Sequence, residues 1–268
     1  MSRPQAEIGV FGGSGFYSFL SDVQLVPLHT PYGSPSAPVA MGTVGGRSVA
    51  FLPRHGVYHE LPPHRVNYRA NVWALREVGV RRIIGPCAAG SLRPDVRPGE
   101  FVLVDQLVDR TRDRADTFFD GGVVGHVAFA DPYCPDLRAS LRSAAREVGV
   151  TVHDGGTVVV IQGPRFSTRA ESAWYRSFGW DVINMTQYPE AYLARELGIC
   201  FATLAMVTDH DSGVEGIEPV THERVLEVFD ANLARLRSVL HDALAATPLE
   251  RACGCADATG GKVPTPPA

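Results

Sequence analysis

A five-residue pattern occurs three times along the chain: Arg76-Glu77-Val78-Gly79-Val80, Arg146-Glu147-Val148-Gly149-Val150 and Arg195-Glu196-Leu197-Gly198-Ile199. Each copy follows a segment with helical spacing, and its glycine stands where a left-handed residue would close the helix. Twice the sequence then turns apolar and β-branched, in Arg81-Arg82-Ile83-Ile84 and Ile199-Cys200-Phe201-Ala202-Thr203. The pattern is helix-to-strand punctuation. Its uneven spacing excludes a solenoid and points to alternating α and β elements.

The apolar runs between these markers predict strands at 7–11, 48–52, 82–85, 101–104, 157–161, 182–184 and 201–207. Helices are predicted over 67–78, 136–148, 169–178, 189–197 and 222–244. In the last of these, Val225, Val228, Phe229, Leu233, Leu236 and Leu240 share one face, an expected core stripe. The fold class is therefore α/β, with a central sheet flanked by helices. With 268 residues and 45% hydrophobic content, one domain over residues 5–248 can bury a substantial core. Residues 249–268 are rich in Gly, Pro, Ala and Thr and are expected to be a disordered tail.

Charge narrows the function classes. The formal net charge is -4, with 25 basic and 29 acidic residues interspersed, which gives no footprint for nucleic acid or an anionic membrane. No apolar run is long enough to span a bilayer and no leader pattern precedes the first strand, so a cytoplasmic protein is expected. The five cysteines, Cys87, Cys134, Cys200, Cys253 and Cys255, are too scattered for a disulfide framework. Cys253-Gly254-Cys255 lacks the second pair of a usual structural zinc site and is expected to lie in an exposed tail.

Several segments carry groups suited to chemistry. Gly12-Gly13-Ser14-Gly15-Phe16 ends the first strand with bare amides and a hydroxyl that suit an anion, or a plain tight turn. It lacks the third glycine of a dinucleotide fingerprint and the lysine of a P-loop. Arg54-His55-Gly56 places a guanidinium at another strand end, where open α/β sheets present ligand contacts. His59 and His64 read as surface or interface residues and fail metal spacing. Asp209-His210-Asp211 puts two carboxylates on one side of a strand end, fit for a divalent metal, a shared proton or turn capping. Between them lie Gly163-Pro164-Arg165-Phe166-Ser167-Thr168, with a ring that could stack on a planar ligand, and Asn184-Met185-Thr186.

In order and spacing these segments, with Asn67-Tyr68-Arg69-Ala70-Asn71 and Gly90-Ser91-Leu92, resemble the methylthioadenosine phosphorylases, a branch of the trimeric purine nucleoside phosphorylases. The resemblance covers residues 7 to 245. It implies a single-domain mixed sheet, a homotrimer, and neither metal nor organic cofactor. It also implies phosphorolysis of S-methyl-5′-thioadenosine to adenine and 5-methylthioribose 1-phosphate, with inorganic phosphate as co-substrate. Ser14, Arg54, His55, the backbone at Cys87 and Ala88, and Thr186 would bind phosphate. Phe166, Ser167, Met185, His222 and Val225 would contact the nucleoside, while Asp209 and Asp211 would face N7 and the 6-amino group. His126 would approach a neighbouring subunit's site.

Three departures stand out. His222 replaces a small apolar residue and could accept a 5′-hydroxyl, which keeps adenosine, and with it the 6-oxopurine nucleosides inosine and guanosine, as alternative substrates. Cys87 stands where a threonine is usual. The terminal C-x-C is similar to that of some thermostable relatives, but nothing here indicates an oxidising interior, so no disulfide is carried over. A metal-dependent transferase and a non-catalytic binding domain are the competing classes.

Overall fold

A computed structural model describes residues 4–12, 20–212, 221–248 and 250–266. The strands divide between two sheets. The first runs in the order β12 (Cys200–Ala202), β5 (Arg82–Ile84), β1 (Ile8–Gly12), β4 (Arg47–Pro53), β3 (Val39–Val44) and β2 (Ser21–Val26). The second runs β8 (Gln106–Arg110), β10 (Thr157–Ile161), β11 (Val182–Asn184), β6 (Cys87–Ser91), β13 (Ala205–His210), β7 (Phe101–Leu103) and β9 (Val152–Asp154). Both are mixed. β1 pairs in parallel with β4 and β5, whereas β2, β3 and β4 form an antiparallel run.

Five helices cover the sheets: α1 (Tyr68–Glu77), α2 (Pro135–Val148), α3 (Arg169–Ser177), α4 (Gln187–Glu196) and α5 (His222–Ala246). Asn67 caps α1 by accepting from the Ala70 amide, and Thr168 with Glu171 forms a reciprocal capping box on α3. The glycines of the repeated pattern take left-handed φ values of 86° at Gly79, 76° at Gly149 and 64° at Gly198. All three punctuation marks are thus helix exits.

The single apolar run predicted at 201–207 is two strands, because the chain leaves one sheet and enters the other at Thr203-Leu204. A matching crossing at Gly85-Pro86 joins β5 to β6. Pro86 has no N–H to continue a ladder. A Cβ on Gly85 would fall 2.6 Å from the Phe201 ring, so only glycine lets the two crossings lie side by side. Buried Thr203 ties them by donating to the Gly85 carbonyl at 2.7 Å.

The segment after Thr247 differs from the expected disorder. Gly254–Asp257 forms a short 3-10 turn, and Cys255 is buried in the core cluster that contains Cys134 and Cys200. Composition underestimates this segment because its anchor is two sulfurs rather than a run of large apolar residues.

Candidate active site

The double crossing opens onto a cavity of about 810 Å³. Arg54, His55, Cys87, Ala88 and Thr186 line one end; Phe166, Met185, Asp209, Asp211, His222 and Val225 line the rest. Ser167 is buried beside Asp211 but outside the lining. His126 is exposed and does not reach its own chain's cavity. Ser14 lies outside the described residues.

Arg54 follows β4 and is 4% exposed. Its Nε and one terminal nitrogen donate to the two carboxylate oxygens of Glu190 at 2.5 and 2.9 Å, and the other terminal nitrogen donates to the Pro86 carbonyl at 3.2 Å. Glu190 is fully buried on α4. Burial works against both charges, but the fork-to-carboxylate pairing holds the guanidinium above its ordinary range. One N–H on each terminal nitrogen remains for a ligand. Glu190 escaped the sequence reading, although a carboxylate among Ala191, Leu193 and Ala194 is the signal of a buried, paired charge.

His55 sits beside this pair. Its Nδ1 lies 2.8 Å from the Leu61 carbonyl, which can only accept, so Nδ1 carries the proton and Nε2 is a bare acceptor. Burial, reinforced by the Arg54 charge, lowers its pKa to about 3. His55 is neutral at pH 7. His59 stacks on it at 4.5 Å between ring centroids and lines the cavity mouth while remaining exposed, a place the sequence reading did not foresee.

At the other end, β13 carries the carboxylates. Its register against β6 slips between Val207 and Asp209, a bulge that turns the strand end toward the cavity. Gly90 on β6 allows this approach, since a Cβ there would lie 3.0 Å from the Asp209 carboxylate and 3.2 Å from Asp211. Asp209 is 7% and Asp211 4% exposed. The Thr208 hydroxyl donates to Asp209 at 2.8 Å, and the Ser172 hydroxyl on α3 donates to Asp211. Burial, with a smaller contribution from the Asp211 charge, raises Asp209 to about 6; burial also raises Asp211. Ser172 has no sequence signal, because its partner is 39 residues away.

Two amide and sulfur groups complete the floor. Asn184, at the end of β11, keeps a buried side-chain N–H2 without a protein partner. Gly163 adopts φ 63° and passes so close to Met185 that a Cβ would meet its sulfur at 2.6 Å. Met185 thereby packs directly against the loop that carries Phe166. In the α5 stripe, Val225 lines the cavity as the resemblance implied, Phe229 joins it where a core position was expected, and only from Leu236 onward is the stripe fully buried.

Two sheets joined by a double crossing beside a cavity with an arginine at one end and paired carboxylates at the other form the frame of a group-transfer site. The profile of the phosphorylase superfamily matches residues 7–245, and the chain belongs to that family. It is 57% identical over 98% of both chains to a purine nucleoside phosphorylase of Streptomyces coelicolor. It is 56% identical to an S-methyl-5′-thioadenosine phosphorylase of Mycolicibacterium smegmatis, over 96% of this chain and 98% of the relative. A solved methylthioadenosine phosphorylase from an antarctic soil metagenomic library superposes with a TM-score of 0.91 at 40% identity, covering 96% of this chain and 92% of that one.

Proposed function

We propose that the chain catalyses reversible phosphorolysis of S-methyl-5′-thioadenosine, a pentosyl transfer from adenine to inorganic phosphate. The observation that carries this reading is the Asp209–Asp211 pair. It is buried, turned into the cavity by a bulge, and contains a carboxyl that titrates near 6. A purine leaves easily only when N7 is protonated or strongly hydrogen-bonded, and a carboxyl poised near neutrality supplies that. As the C1′–N9 bond breaks, the electron pair moves into the purine and Asp209 donates at N7. The sugar becomes oxocarbenium-like, and a phosphate oxygen forms the new bond at C1′ from the opposite face.

Arg54 supplies the positive charge for that phosphate, and Glu190 fixes its orientation. His55 cannot donate through its side chain to a fully ionised phosphate; its Nε2 accepts from a ribose hydroxyl or a protonated phosphate oxygen. Cys87 offers no hydroxyl, so the Cys87 and Ala88 backbone and Thr186 complete the phosphate end. A carboxylate at position 209 accepts from a 6-amino group, whereas a 6-oxo group would oppose acceptor to acceptor. Adenine is the favoured base. Neither a catalytic metal nor an organic cofactor has a role in this scheme, and no helix among the described residues is long and apolar enough to cross a membrane. A cytoplasmic homotrimer, in which exposed His126 serves a neighbouring cavity, completes the proposal.

A specific observation favours a second substrate: His222 lines the mouth, where a 5′-hydroxyl would sit. The test is release of free base from methylthioadenosine, adenosine and inosine, with and without phosphate, in the presence of a chelator. Phosphate-dependent release led by methylthioadenosine is expected. A lead for inosine would overturn the assignment of the carboxylate pair, and release independent of phosphate would overturn phosphorolysis.

A further inference from the structure

Four of the five cysteines meet at one point, and none of the four lines the cavity. Cys134 is the N-cap of α2, Cys200 opens β12, Cys253 is the N-cap of the C-terminal 3-10 turn and Cys255 lies within that turn. Their four Sγ atoms all lie within 4.8 Å of one another, with Cys200 and Cys253 at 3.4 Å. Cys200 pairs with Arg82 at the start of β5, the opposite end of the strand from the Gly85-Pro86 crossing. The cluster is therefore separate from the nucleoside site.

We propose that these thiols form a structural Zn²⁺ site that staples the C-terminal segment to the body of the enzyme. Zinc binds four cysteine sulfurs tetrahedrally at about 2.3 Å, which sets neighbouring sulfurs about 3.8 Å apart. The observed grouping fits a single ion and is too tight to enclose a multi-iron cluster. Two disulfides would need proximity only within each pair, but here each sulfur is in reach of all three others. A mere apolar patch would not require thiols from three separate segments, and Cys253 is only partly buried.

The surroundings hold the ligands in place before any ion arrives. The Asp136 carboxylate on α2 accepts from the Ala252 and Cys253 amides at 3.0 Å each. Arg251 donates to the Gly198 carbonyl at 2.8 Å, and the Cys134 amide donates to the Phe201 carbonyl at 2.7 Å. Gly198 has no side chain to displace the Ala256 backbone, which would stand 3.2 Å from its Cβ. Binding converts four thiols and one Zn²⁺ into a tetrathiolate complex of net charge minus two and releases four protons, with no redox change. The positive end of α2 and the Arg195 guanidinium, whose charge acts on Cys255, oppose that charge. Apart from Cys255 and Pro264, the described residues of the segment are not buried, so the sulfurs are its principal anchor.

The experiment uses the full chain purified under reducing conditions. Elemental analysis should give one zinc per chain. Replacement by Co²⁺ should produce the thiolate-to-cobalt charge-transfer band and the intense visible bands of tetrahedral sulfur ligation. In Cys253→Ser and Cys255→Ser, which alter only the peripheral segment, zinc content should fall well below one and the segment should become protease-sensitive while phosphorolysis at moderate temperature persists. Metal-free protein with all five thiols of the chain reactive in denaturant would overturn the site. So would an intact mass short of two hydrogens per bond, the mark of disulfides, or iron in place of zinc.

Discussion

The two ends of the cavity handle buried charge in opposite ways. At the arginine end, Arg54 and Glu190 neutralise each other through a two-point contact and His55 is held neutral by burial, so the charge there is fixed by pairing. At the carboxylate end, Asp209 and Asp211 have no cationic partner within hydrogen-bonding distance among the described residues, only hydroxyl and backbone donors, and burial leaves Asp209 on the edge of ionisation. The difference assigns the work. A fixed charge positions an anion; a carboxyl near its titration point moves a proton.

The largest effect should come from breaking the fixed end. Arg54→Ala leaves Glu190 buried and unpaired, a change that typically costs about 3–5 kcal/mol, and phosphate-dependent turnover should disappear with it. The double variant Arg54→Met with Glu190→Gln should recover most of the thermal stability without recovering turnover. Thermal unfolding alongside base release separates the two. If the double variant regains activity, Arg54 is scaffolding and not a phosphate ligand.

Next in size is the base end. Asp209→Ala should lower kcat by roughly 10²- to 10⁴-fold, the usual worth of a positioned acid. Asp209→Asn should retain more activity and shift relative rates from adenosine toward inosine, because an amide can both donate and accept. Equal adenosine-to-inosine ratios in wild type and variant would remove Asp209 from base recognition.

The same variant tests the contrast in titration. Asp209 binds its proton more tightly folded, at about 6, than at its ordinary value of 3.8. Its protonated form therefore stabilises the fold below the ordinary value, and that contribution is lost as pH rises through about 6. Asparagine is neutral throughout. The melting-temperature advantage of Asp209→Asn over wild type should grow from about pH 4 to about pH 6 and level off above about pH 7. A flat difference would mean the carboxyl is not perturbed.

Much of this division is readable in the sequence, and the part that is not has a consistent cause. The glycines of the repeated pattern marked three helix exits because backbone conformation is a local property. Asp209 and Asp211 were legible for the same reason, being two residues apart on one strand. Glu190 and Ser172 were not, since each matters only through a partner on another element. The antiparallel strands β2 and β3 were missed: edge strand β2 is exposed along nearly its whole length and so shows no alternation, and β3 is buried on both faces with a glycine, Gly42, in its middle. Cys134 and Cys200 looked scattered for the same reason that their meeting with Cys253 and Cys255 is informative: only the fold brings them together.

The smallest expected effect lies at the mouth, between the two ends. His222 begins α5 and is exposed in the single chain, so a hydrogen bond from a 5′-hydroxyl replaces a contact with water and is worth about 0.5–1.5 kcal/mol. His222→Val should therefore reduce kcat/KM for adenosine by about 2- to 10-fold relative to methylthioadenosine, whose methylthio group gains an apolar neighbour instead. Adenosine and inosine share the 5′-hydroxyl, so their ratio should not move, and the KM for phosphate should hold. A change in either would mean that the mouth is coupled to the charged ends; no change in the adenosine-to-methylthioadenosine ratio would leave the 5′-pocket to Val225 and Phe229 alone.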